Sequence, residues 1–365
     1  MNITLTVEAL GPQLSGIGRY VWELCSRVPH QPGIERISFF ENGRFVEDPR
    51  GQLHGNSTRR GVRVPAWLRR RRTLRRLRQG LVHGPNYFLP REAETGIITV
   101  HDLSIFKYPE THPAERLRAF ERDFQNSLAR AQHVITDTET VRREVIAEFA
   151  IPETKITAIP LGVGKEYRPR RSAELDSRLA HLGLTAGAYA LCVSTLEPRK
   201  RIAELLRAWR DLPSDLRNST PLVLAGARGW LNESLHDDIR DGVGAGWLKH
   251  VGFVPEDPLL ALYSGASLFI YPSIYEGFGL PPLEAMASGV PVLVANRSCL
   301  PEVSGDAAGY VDPDDPKAFS EALAQGLTDS AWRAGAREKG LERAANFGWD
   351  RCAARTVELY RRYSR

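Results

Sequence analysis

The stretch YEGFGLPPLEAMASGVPVL, residues 275–293, follows a short apolar segment, residues 268–271, that predicts a β-strand. Two glycines free the backbone of the loop that comes next, and the pair Pro281-Pro282 predicts the start of a helix, where proline is favoured. A strand that passes through such a loop into a helix is the repeating unit of parallel α/β layers. The stretch therefore predicts an α/β fold.

The same alternation of apolar segments and helical stretches extends over most of the 365-residue chain. Further predicted strands cover residues 3–7, 37–40, 81–83, 97–100, 133–136, 156–159, 190–194, 222–225, 250–252 and 290–295, and predicted helices include 18–27, 113–131 and 138–148. The polar segment 165–188 predicts a linker with one short helix. We therefore predict two doubly wound domains, residues 1–164 and 165–346, that face each other across a ligand-binding cleft.

Two acidic residues, Glu276 and Glu284, flank the glycines and prolines of the opening stretch with seven residues between them. They would be either an acid/base pair that cleaves a bond or a clamp that accepts hydrogen bonds. In a glycosidase, the acid and the base flank the scissile bond and usually come from separate elements. Because both carboxylates share one loop and helix here, the clamp is favoured.

Composition excludes several classes of protein. The four cysteines are scattered, without a CxxC pair, which argues against a disulfide framework or a structural zinc site and fits a reducing cytosol. No apolar segment approaches the roughly 18 residues of a membrane span, and the start of the chain, MNITLTVEAL, predicts a first strand, not a signal peptide. We expect a soluble, cytoplasmic protein.

The segment WLRRRRTLRRLRQG, residues 67–80, carries seven arginines and predicts a basic, weakly amphipathic helix. One interpretation is peripheral contact of residues 67–78 with anionic lipid headgroups, each basic residue contributing about 1 kcal/mol near such a surface. The other is a solvated helix. Nucleic acid is disfavoured as a partner because aromatic side chains for base stacking are not interleaved with the arginines.

Glu197-Pro198-Arg199-Lys200 follows a predicted strand and precedes a helix. Two adjacent cations at a helix start are unfavourable, because the helix dipole already places partial positive charge there. A bound diphosphate would remove the conflict, since arginine binds phosphate bidentately and lysine adds a point charge. The alternative is a solvated charged turn.

Three further segments are candidates. The loop SGIGRY, with Gly16 and Gly18, lacks the third glycine of a dinucleotide-binding loop and is either a tight turn or a loop that faces an anion. His101 follows a predicted strand directly, at the sheet edge where α/β proteins bind ligands. The acidic DPDD at 312–315 precedes a helix and predicts a cap or turn, so we expect no metal site there.

Together these motifs resemble the retaining glycosyltransferases of family 4, which have the GT-B fold of two Rossmann-like domains. The resemblance rests on SGIGRY, VHDL with His101, Glu197-Pro198-Arg199-Lys200, EGFGLPPLEAMASGVPV and the closing FGWDRCAARTVELYRR, and so extends over nearly the whole chain. In that family, the final helix, here 347–365, packs back on the N-terminal, acceptor-side domain. The second domain binds the nucleotide-sugar.

The resemblance also implies residue roles. Arg199 and Lys200 match the pair that neutralises the donor diphosphate, Glu284 matches the acid that binds the ribose, and Glu276 matches the acid that binds the donor sugar. His101 matches the histidine near the anomeric carbon. The remaining donor-binding matches are backbone contacts to the base by Val254, to the sugar and phosphate by Phe278, Gly279 and Leu280, and to the diphosphate by Gly16 and Gly18.

The resemblance further implies an enzyme without metal or other cofactor that moves a hexose from a nucleotide-sugar to a saccharide acceptor. STLEPRK, GARGW and HGPNYFLP look most like bacterial mannosyl- and rhamnosyltransferases of O-antigen and exopolysaccharide synthesis. We expect GDP-mannose as donor, with a GDP-deoxyhexose second and a UDP- or dTDP-sugar third, and an acceptor linked to polyprenyl diphosphate. A nucleotide-sugar epimerase and a non-catalytic binding protein are remote alternatives.

Overall fold

A computed structural model describes residues 1–53, 66–230 and 233–364, and within the helices the side chains of Ala66, Trp67, Arg69, Arg116 and Ala119 lie outside the description. Strands in chain order are β1 Asn2–Thr6, β2 Arg36–Glu41, β3 Arg44–Val46, β4 Leu81–Gly84, β5 Gly96–Val100, β6 Ala131–Thr136, β7 Ile156–Ala158, β8 Ala190–Val193, β9 Leu222–Ala225, β10 Leu248–Gly252, β11 Leu268–Tyr271, β12 Val292–Ala295 and β13 Ala308–Val311.

The α-helices are interspersed among these strands, as a doubly wound fold requires. In chain order they are α1 Gly16–Arg27, α2 Arg50–Leu53, α3 Ala66–Leu77, α4 Ser104–Lys107, α5 Ala114–Arg130, α6 Glu139–Phe149, α7 Ser172–Ala180, α8 Ile202–Arg210, α9 Ser214–Ser219, α10 Glu233–Gly244, α11 Glu256–Gly265, α12 Leu280–Ala287, α13 Leu300–Ser304, α14 Pro316–Thr328, α15 Ser330–Ala345 and α16 Trp349–Tyr363. Short 3₁₀ turns cover Val28–His30, Pro109–Thr111, Glu153–Lys155, Pro198–Lys200 and Gly305–Ala307. Within the described residues, we find no helix that is both long and apolar enough to cross a membrane.

The chain divides into two compact units. The first unit comprises Met1–Leu103, Glu115–Gly162 and Gly348–Arg365, and the second comprises Ser104–Ala114 and Val163–Phe347. The short segment Ser104–Ala114 therefore belongs by its contacts to the second unit, although its neighbours in sequence on both sides belong to the first.

In the part of the first unit that the structure describes, seven strands form one sheet in the order β3-β2-β1-β4-β5-β6-β7. All neighbours are parallel except β2 and β3, which form an antiparallel hairpin. Its turn, Asn42-Gly43, has positive φ at both residues (46° and 79°), as the two-residue turns that match strand twist require. The sheet extends one strand further than the sequence predicted.

Helix α16 packs on α1 in the first unit. Arg27 on α1 pairs with Asp350 on α16 at 2.9 Å. The Tyr360 hydroxyl of α16 lies 2.6 Å from Nδ1 of His83, a fully buried side chain at the end of β4. Burial lowers the pKa of His83 to about 3, so His83 is neutral and accepts from Tyr360 at Nδ1 while its Nε2–H donates to Thr99 at 2.9 Å.

The second unit contains six parallel strands among its described residues, in the order β10-β9-β8-β11-β12-β13. Its core lies between the sheet and α8, α10 and α14, around fully buried side chains such as Trp209, Leu205 and Phe319. Strand order reverses between β8 and β11, which are neighbours in the sheet. Loops at the carboxyl ends of such a pair diverge and leave a crevice where α/β proteins bind ligands. These two sheets confirm the predicted α/β fold class with two doubly wound, Rossmann-like units.

All four cysteines are buried and carry free thiols, Cys25 and Cys352 in the first unit and Cys192 and Cys299 in the second. Burial raises the pKa of Cys192 and of Cys352 to about 12, and it also raises the pKa of Cys25. No disulfide constrains either unit.

Candidate functional site

Arg199 and Lys200 lie on the 3₁₀ turn Pro198–Lys200, which follows β8 and is separated from α8 by Arg201 alone. Proline fixes φ at the start of this turn, and Arg201, with φ of 52°, ends it in the left-handed region. The two cations therefore stand ahead of the α8 N-terminus, as the sequence predicted. Lys200 is 6% exposed, which excludes a solvated charged turn for this side chain.

Glu276 lies five residues beyond the end of β11, the neighbouring strand. Its backbone is held by the loop after β12: the Ser298 hydroxyl donates to the Glu276 carbonyl at 2.8 Å, and the Cys299 thiol donates to the same oxygen at 3.0 Å. The Glu276 side chain is buried. The position of Glu276 is therefore fixed both by hydrogen bonds to its backbone and by burial of its side chain.

These residues form what we call the Lys200–Glu276 cluster, which consists of Arg199, Lys200, Tyr271 and Glu276. Lys200 Nζ donates to Glu276 Oε1, and the Tyr271 hydroxyl donates to the same oxygen at 2.9 Å. Arg199 Nη1 lies 3.5 Å from Glu276 Oε2 and donates to the Tyr275 carbonyl at 2.7 Å. A second buried acid, Glu197, pairs with Arg199 Nε at 3.1 Å, so two cations and two acidic side chains are packed beyond the adjacent ends of β8 and β11.

The charge state of Glu276 decides what the cluster does. Burial alone would raise the pKa of this carboxyl, but the positive charges of Lys200 and Arg199 outweigh burial and lower the pKa to about 2. Burial and the charge of Glu276 raise the pKa of Tyr271 well above its ordinary value, so the phenol remains a donor. Glu276 is a carboxylate at neutral pH, suited to accepting hydrogen bonds and unsuited to delivering a proton.

Glu284 lies on α12, whose start is set by Gly279. This glycine has φ of +100°, and a Cβ atom there would lie 2.8 Å from Leu300 Cδ2. Because the helix begins at Leu280, Glu284 is its fifth residue and lies just beyond the first turn. The Tyr263 hydroxyl donates to Glu284 Oε2 at 2.8 Å. Phe278 is buried against Phe347, with ring centroids 5.7 Å apart, so only its backbone is suited to ligand contact.

The GARGW segment packs against the loop that carries Arg199 and Lys200. The Leu196 amide donates to the Ala227 carbonyl at 3.1 Å, and a Cβ atom on Gly229, whose φ is +66°, would lie 2.0 Å from the Leu196 carbonyl oxygen. Trp230 Nε1 donates to the Thr111 carbonyl at 2.7 Å. Val254, half-buried, follows β10 at the same carboxyl edge of the sheet.

The tyrosines and the serine that fix this site were not predicted from the sequence. Tyr271 ends β11 and Tyr275 precedes Glu276, whereas Tyr263 and Ser298 come from separate elements of the chain. Tyr275 also packs on Tyr108 of the segment Ser104–Ala114, with ring centroids 5.1 Å apart. A tyrosine directly before an acidic ligand was a signal that could have been used; the other contacts depend on tertiary structure.

His101 is in the first unit, directly after β5, and is 6% exposed. Its Nδ1 lies 2.7 Å from Asp137 Oδ2, and its Nε2 lies 2.9 Å from the Pro85 carbonyl, which is only an acceptor. Nε2 therefore carries hydrogen, and one further proton is shared between Nδ1 and Asp137. Both ring nitrogens are bonded within the unit, so contact with a sugar would come from the backbone or a ring carbon.

Asp137 was not among the predicted site residues, although the signal was present. It follows β6 directly, as His101 follows β5, and the two strands are parallel neighbours with Val100 opposite Thr136. Polar residues after adjacent parallel strands meet at one sheet edge.

Gly16 and Gly18 lie in the first turn of α1. The Ser15 side chain caps this helix and accepts from the Gly18 amide at 3.2 Å. Gly18 is buried, and a Cβ atom there would lie 2.9 Å from the Ala9 carbonyl oxygen. Gly18 therefore has a structural reason to be glycine, whereas Gly16 is exposed and leaves the helix N-terminus accessible.

The acidic DPDD is a helix cap, as predicted. Asp315 caps α14 and accepts from the Ala318 amide at 3.0 Å, while Asp312 accepts two hydrogen bonds from Arg297 at 3.0 Å. Among the residues that the structure describes, no group of three or more histidine, cysteine, aspartate or glutamate side chains is arranged to hold a metal ion.

Known proteins match this chain over nearly its whole length. The family described as Glycosyltransferase Family 4 matches residues 14–167, and Glycosyl transferases group 1 matches residues 182–343. The chain is similar to O-antigen chain mannosyltransferase B of Escherichia coli, with 38% identity over 379 aligned positions that cover 99% of this chain and 100% of the relative.

Solved structures share the fold. A sucrose-phosphate synthase from Thermosynechococcus elongatus superimposes with a TM-score of 0.74 at 19% identity, covering 100% of this chain and 99% of the other. HepE of Anabaena, solved in complex with UDP-glucose, gives a TM-score of 0.73 at 15% identity over 98% of this chain and 100% of the other.

Proposed function

Because the chain belongs to glycosyltransferase family 4, we propose that it transfers mannose from GDP-mannose to a saccharide acceptor in bacterial surface polysaccharide synthesis. The Lys200–Glu276 cluster is the observation that carries this proposal, since it joins two cations to an ionised acid at the carboxyl edge of the second sheet. The choice of mannose rests on the similarity to O-antigen chain mannosyltransferase B. UDP- or dTDP-sugars are the alternative donors, and HepE, solved with UDP-glucose, shares the fold.

In the proposed reaction, the donor diphosphate binds Arg199 and Lys200. Charge-assisted contacts of this kind are stronger than neutral ones, and they stabilise the negative charge that develops on the leaving diphosphate. The cations supply the charge that a metal ion would otherwise contribute, so we propose that no cofactor is needed. Gly16 and Gly18 would approach the diphosphate through the backbone at the start of α1.

Glu276 would accept hydrogen bonds from hydroxyls of the donor sugar. Its low pKa supports this role, because a carboxylate that stays ionised far below neutral pH is a poor proton donor and a poor base. Glu284 would bind the ribose hydroxyls, with its orientation set by Tyr263. Backbone groups of Phe278, Gly279 and Leu280 would contact sugar and phosphate, Val254 would contact the base, and His101 would lie near the anomeric carbon.

We propose that the anomeric configuration is retained. The diphosphate would depart on the same face as the acceptor attacks. Glu276 would accept hydrogen bonds from the sugar hydroxyls and so would not attack the anomeric carbon from the opposite face. The acceptor would be a saccharide on polyprenyl diphosphate. Because the polyprenyl chain lies in the membrane, the enzyme would act at the cytoplasmic surface of that membrane.

Helix α3 supplies a surface suited to that location. Thr73 and Leu77 are buried against the unit, and the Arg76 guanidinium lies 3.8 Å from the centre of the Phe45 ring. The same helix carries four exposed arginines, namely Arg70, Arg71, Arg72 and Arg75. Of the predicted basic run, the side chain of Arg69 lies outside the described residues. We propose that this helix contacts anionic lipid headgroups.

The proposal is tested by donor titration followed by product analysis. GDP should raise the unfolding temperature more than UDP, ADP or dTDP, because a ligand that binds only the native state stabilises it. Incubation with GDP-mannose and a polyprenyl-diphosphate-linked oligosaccharide should then give an α-mannosyl product, identified by NMR of the anomeric carbon. Preferential stabilisation by UDP or dTDP would favour the alternative donors, and an inverted linkage would overturn the mechanism. An epimerised free nucleotide-sugar would identify an epimerase instead.

A further inference from the structure

A cavity of about 440 Å³ lies in the second unit at the amino ends of β8, β11 and β12, the edge opposite to the strand ends that carry the Lys200–Glu276 cluster. The segments that precede these strands form one side of it. The first turn of α7, the first two turns of α15 and the end of α12 form the rest. Nothing in the proposed transfer reaction uses this cavity.

The charged residues that line the cavity are all cations. They are Arg170, Arg333 and Arg337, and no acidic residue lines the cavity in the part of the chain that the structure describes. Arg170 is held by the Ser264 hydroxyl at 2.9 Å and by the Glu166 carbonyl at 2.8 Å, so its charge is fixed without a carboxylate partner. Burial lowers the pKa of Arg170, as expected for a cation whose hydrogen-bond partners are neutral.

Two polar groups of this cavity are buried without a partner. Ser288, which ends α12, is 2% exposed, and its hydroxyl makes no hydrogen bond. Nε of Arg333 is likewise shielded from solvent and unpaired. Since neither atom is open to solvent, a ligand in the cavity would reach them only if the surrounding side chains moved, and the case for a ligand rests on the three arginines.

The helix starts add further donors. Ser172 is the first residue of α7 and Ser330 the first of α15, and both line the cavity. Backbone N–H groups of a first helical turn have no acceptor within the helix, and the helix dipole favours an anion beside them. Asp329 caps α15 through a bond from the Trp332 amide at 2.9 Å, but it does not line the cavity.

We propose that this cavity binds the phosphate group of a small phosphomonoester. A dianionic phosphate complements the three cations that line the cavity, and the planar arginine guanidinium can bind it bidentately. The volume exceeds that of the phosphate alone, so the ester would be of the size of a sugar phosphate. The site is separate from the donor diphosphate site, because it lies at the opposite edge of the sheet.

Calorimetric titration of the full chain tests the proposal, with GDP present in excess so that the diphosphate site is occupied. Inorganic phosphate and glucose 6-phosphate should both bind, and Arg333→Gln/Arg337→Gln should weaken binding at least about tenfold, the loss expected for a charged hydrogen bond. Arg207→Gln, at an exposed arginine of α8 outside the cavity, should bind like the wild type. Arg337→Gln alone, at an exposed side chain, provides the same comparison should the double variant unfold.

Vesicles that contain phosphatidic acid distinguish the source of the phosphate. Binding of soluble esters with Arg337-dependent affinity would assign the site to a free metabolite, and Arg337-dependent sedimentation with vesicles alone would assign it to a lipid headgroup. Equal affinities of the wild type and Arg337→Gln for every probe, or displacement of all bound phosphate by GDP, would overturn the proposal.

Discussion

Arg199 donates from Nη1 to the backbone carbonyl of Tyr275 across 2.7 Å, and this bond joins the loop after β8 to the loop after β11. The residue that follows Tyr275 is Glu276, so the same arginine that is proposed to bind diphosphate also fixes the acid proposed to bind the sugar. The spacing between the two groups is therefore set before any donor arrives. Preorganisation of this kind lowers the entropic cost of binding.

Glu276→Gln should change the affinity for the product GDP and the turnover number in opposite directions. In the wild type, the diphosphate of GDP must compete with the Glu276 carboxylate for Lys200; in the variant, Lys200 has lost that anion and gains more from the ligand. We expect GDP to bind about tenfold more tightly to the variant, whereas kcat falls about 10²-fold because the sugar is no longer oriented. Calorimetry and steady-state kinetics measure the two effects.

A matched control is Glu204→Gln, which removes a carboxylate paired with Arg201 at 3.0 Å outside the cluster. It should change neither GDP affinity nor kcat. Weaker GDP binding by Glu276→Gln would contradict the competition between the carboxylate and the diphosphate.

Acid should destabilise the wild type through Glu276 in a defined window. The folded protein holds the pKa of this carboxyl at about 2, below the ordinary value of 4.5, so the unfolded chain binds more protons between these values. The stabilising contribution is complete above pH 4.5 and is lost as pH falls towards 2. We expect an advantage over Glu276→Gln of about 3 kcal/mol at neutral pH, declining by about 1.4 kcal/mol per pH unit below 4.5.

Denaturant unfolding of both proteins at pH values from 3 to 7 measures this difference. A difference that is constant over the whole range would show that folding leaves the pKa of Glu276 unchanged, and a difference that shrinks above pH 4.5 would show that Glu276 is protonated in the folded protein.

Tyr360→Phe should destabilise the first unit. The substitution leaves Nδ1 of the fully buried His83 without its donor, at a cost of about 1–3 kcal/mol. Tyr363→Phe is the matched control, because Tyr363 makes the corresponding bond of 2.8 Å to His133 at a partly buried site and should cost less. Denaturant midpoints measure both; an equal or larger loss for Tyr363→Phe would refute the ranking.

Neutralisation of the exposed arginines of α3 should weaken membrane association. With Arg70, Arg71, Arg72 and Arg75 replaced by glutamine, sedimentation with phosphatidylglycerol vesicles should fall, most clearly at low salt where screening is weak. A variant with Arg178, Arg207, Arg210 and Arg240 replaced by glutamine, four exposed arginines of the second unit, controls for net charge. If the wild type does not sediment with the vesicles, or if the variant sediments equally, α3 is a solvated helix that does not contact lipid.

The interior strands were predictable because they are continuous apolar segments, and 222–225 and 268–271 agree residue for residue with β9 and β11. The edge strands β3 and β13 were missed because they are short and partly exposed, so burial imposes little pattern on them. The turn Asn42-Gly43 did carry the usual signal of a hairpin and could have predicted β3.

Proximity in the candidate site was predictable only where it follows from strand order. Arg199, Lys200 and Glu276 follow strands whose carboxyl ends share one edge, so their convergence was implied once β8 and β11 were neighbours. Side-chain partners such as Tyr263, 21 residues from Glu284, depend on how α11 packs beside α12, which local sequence does not encode.

The four buried thiols provide an internal reporter of local opening. A thiol reagent attacks thiolate, and both burial and raised pKa suppress that form in the folded units. Alkylation of Cys25 and Cys352 would therefore time the opening of the first unit, and alkylation of Cys192 and Cys299 that of the second. Mass spectrometry of the labelled peptides would therefore give a separate opening rate for each unit without any engineered label.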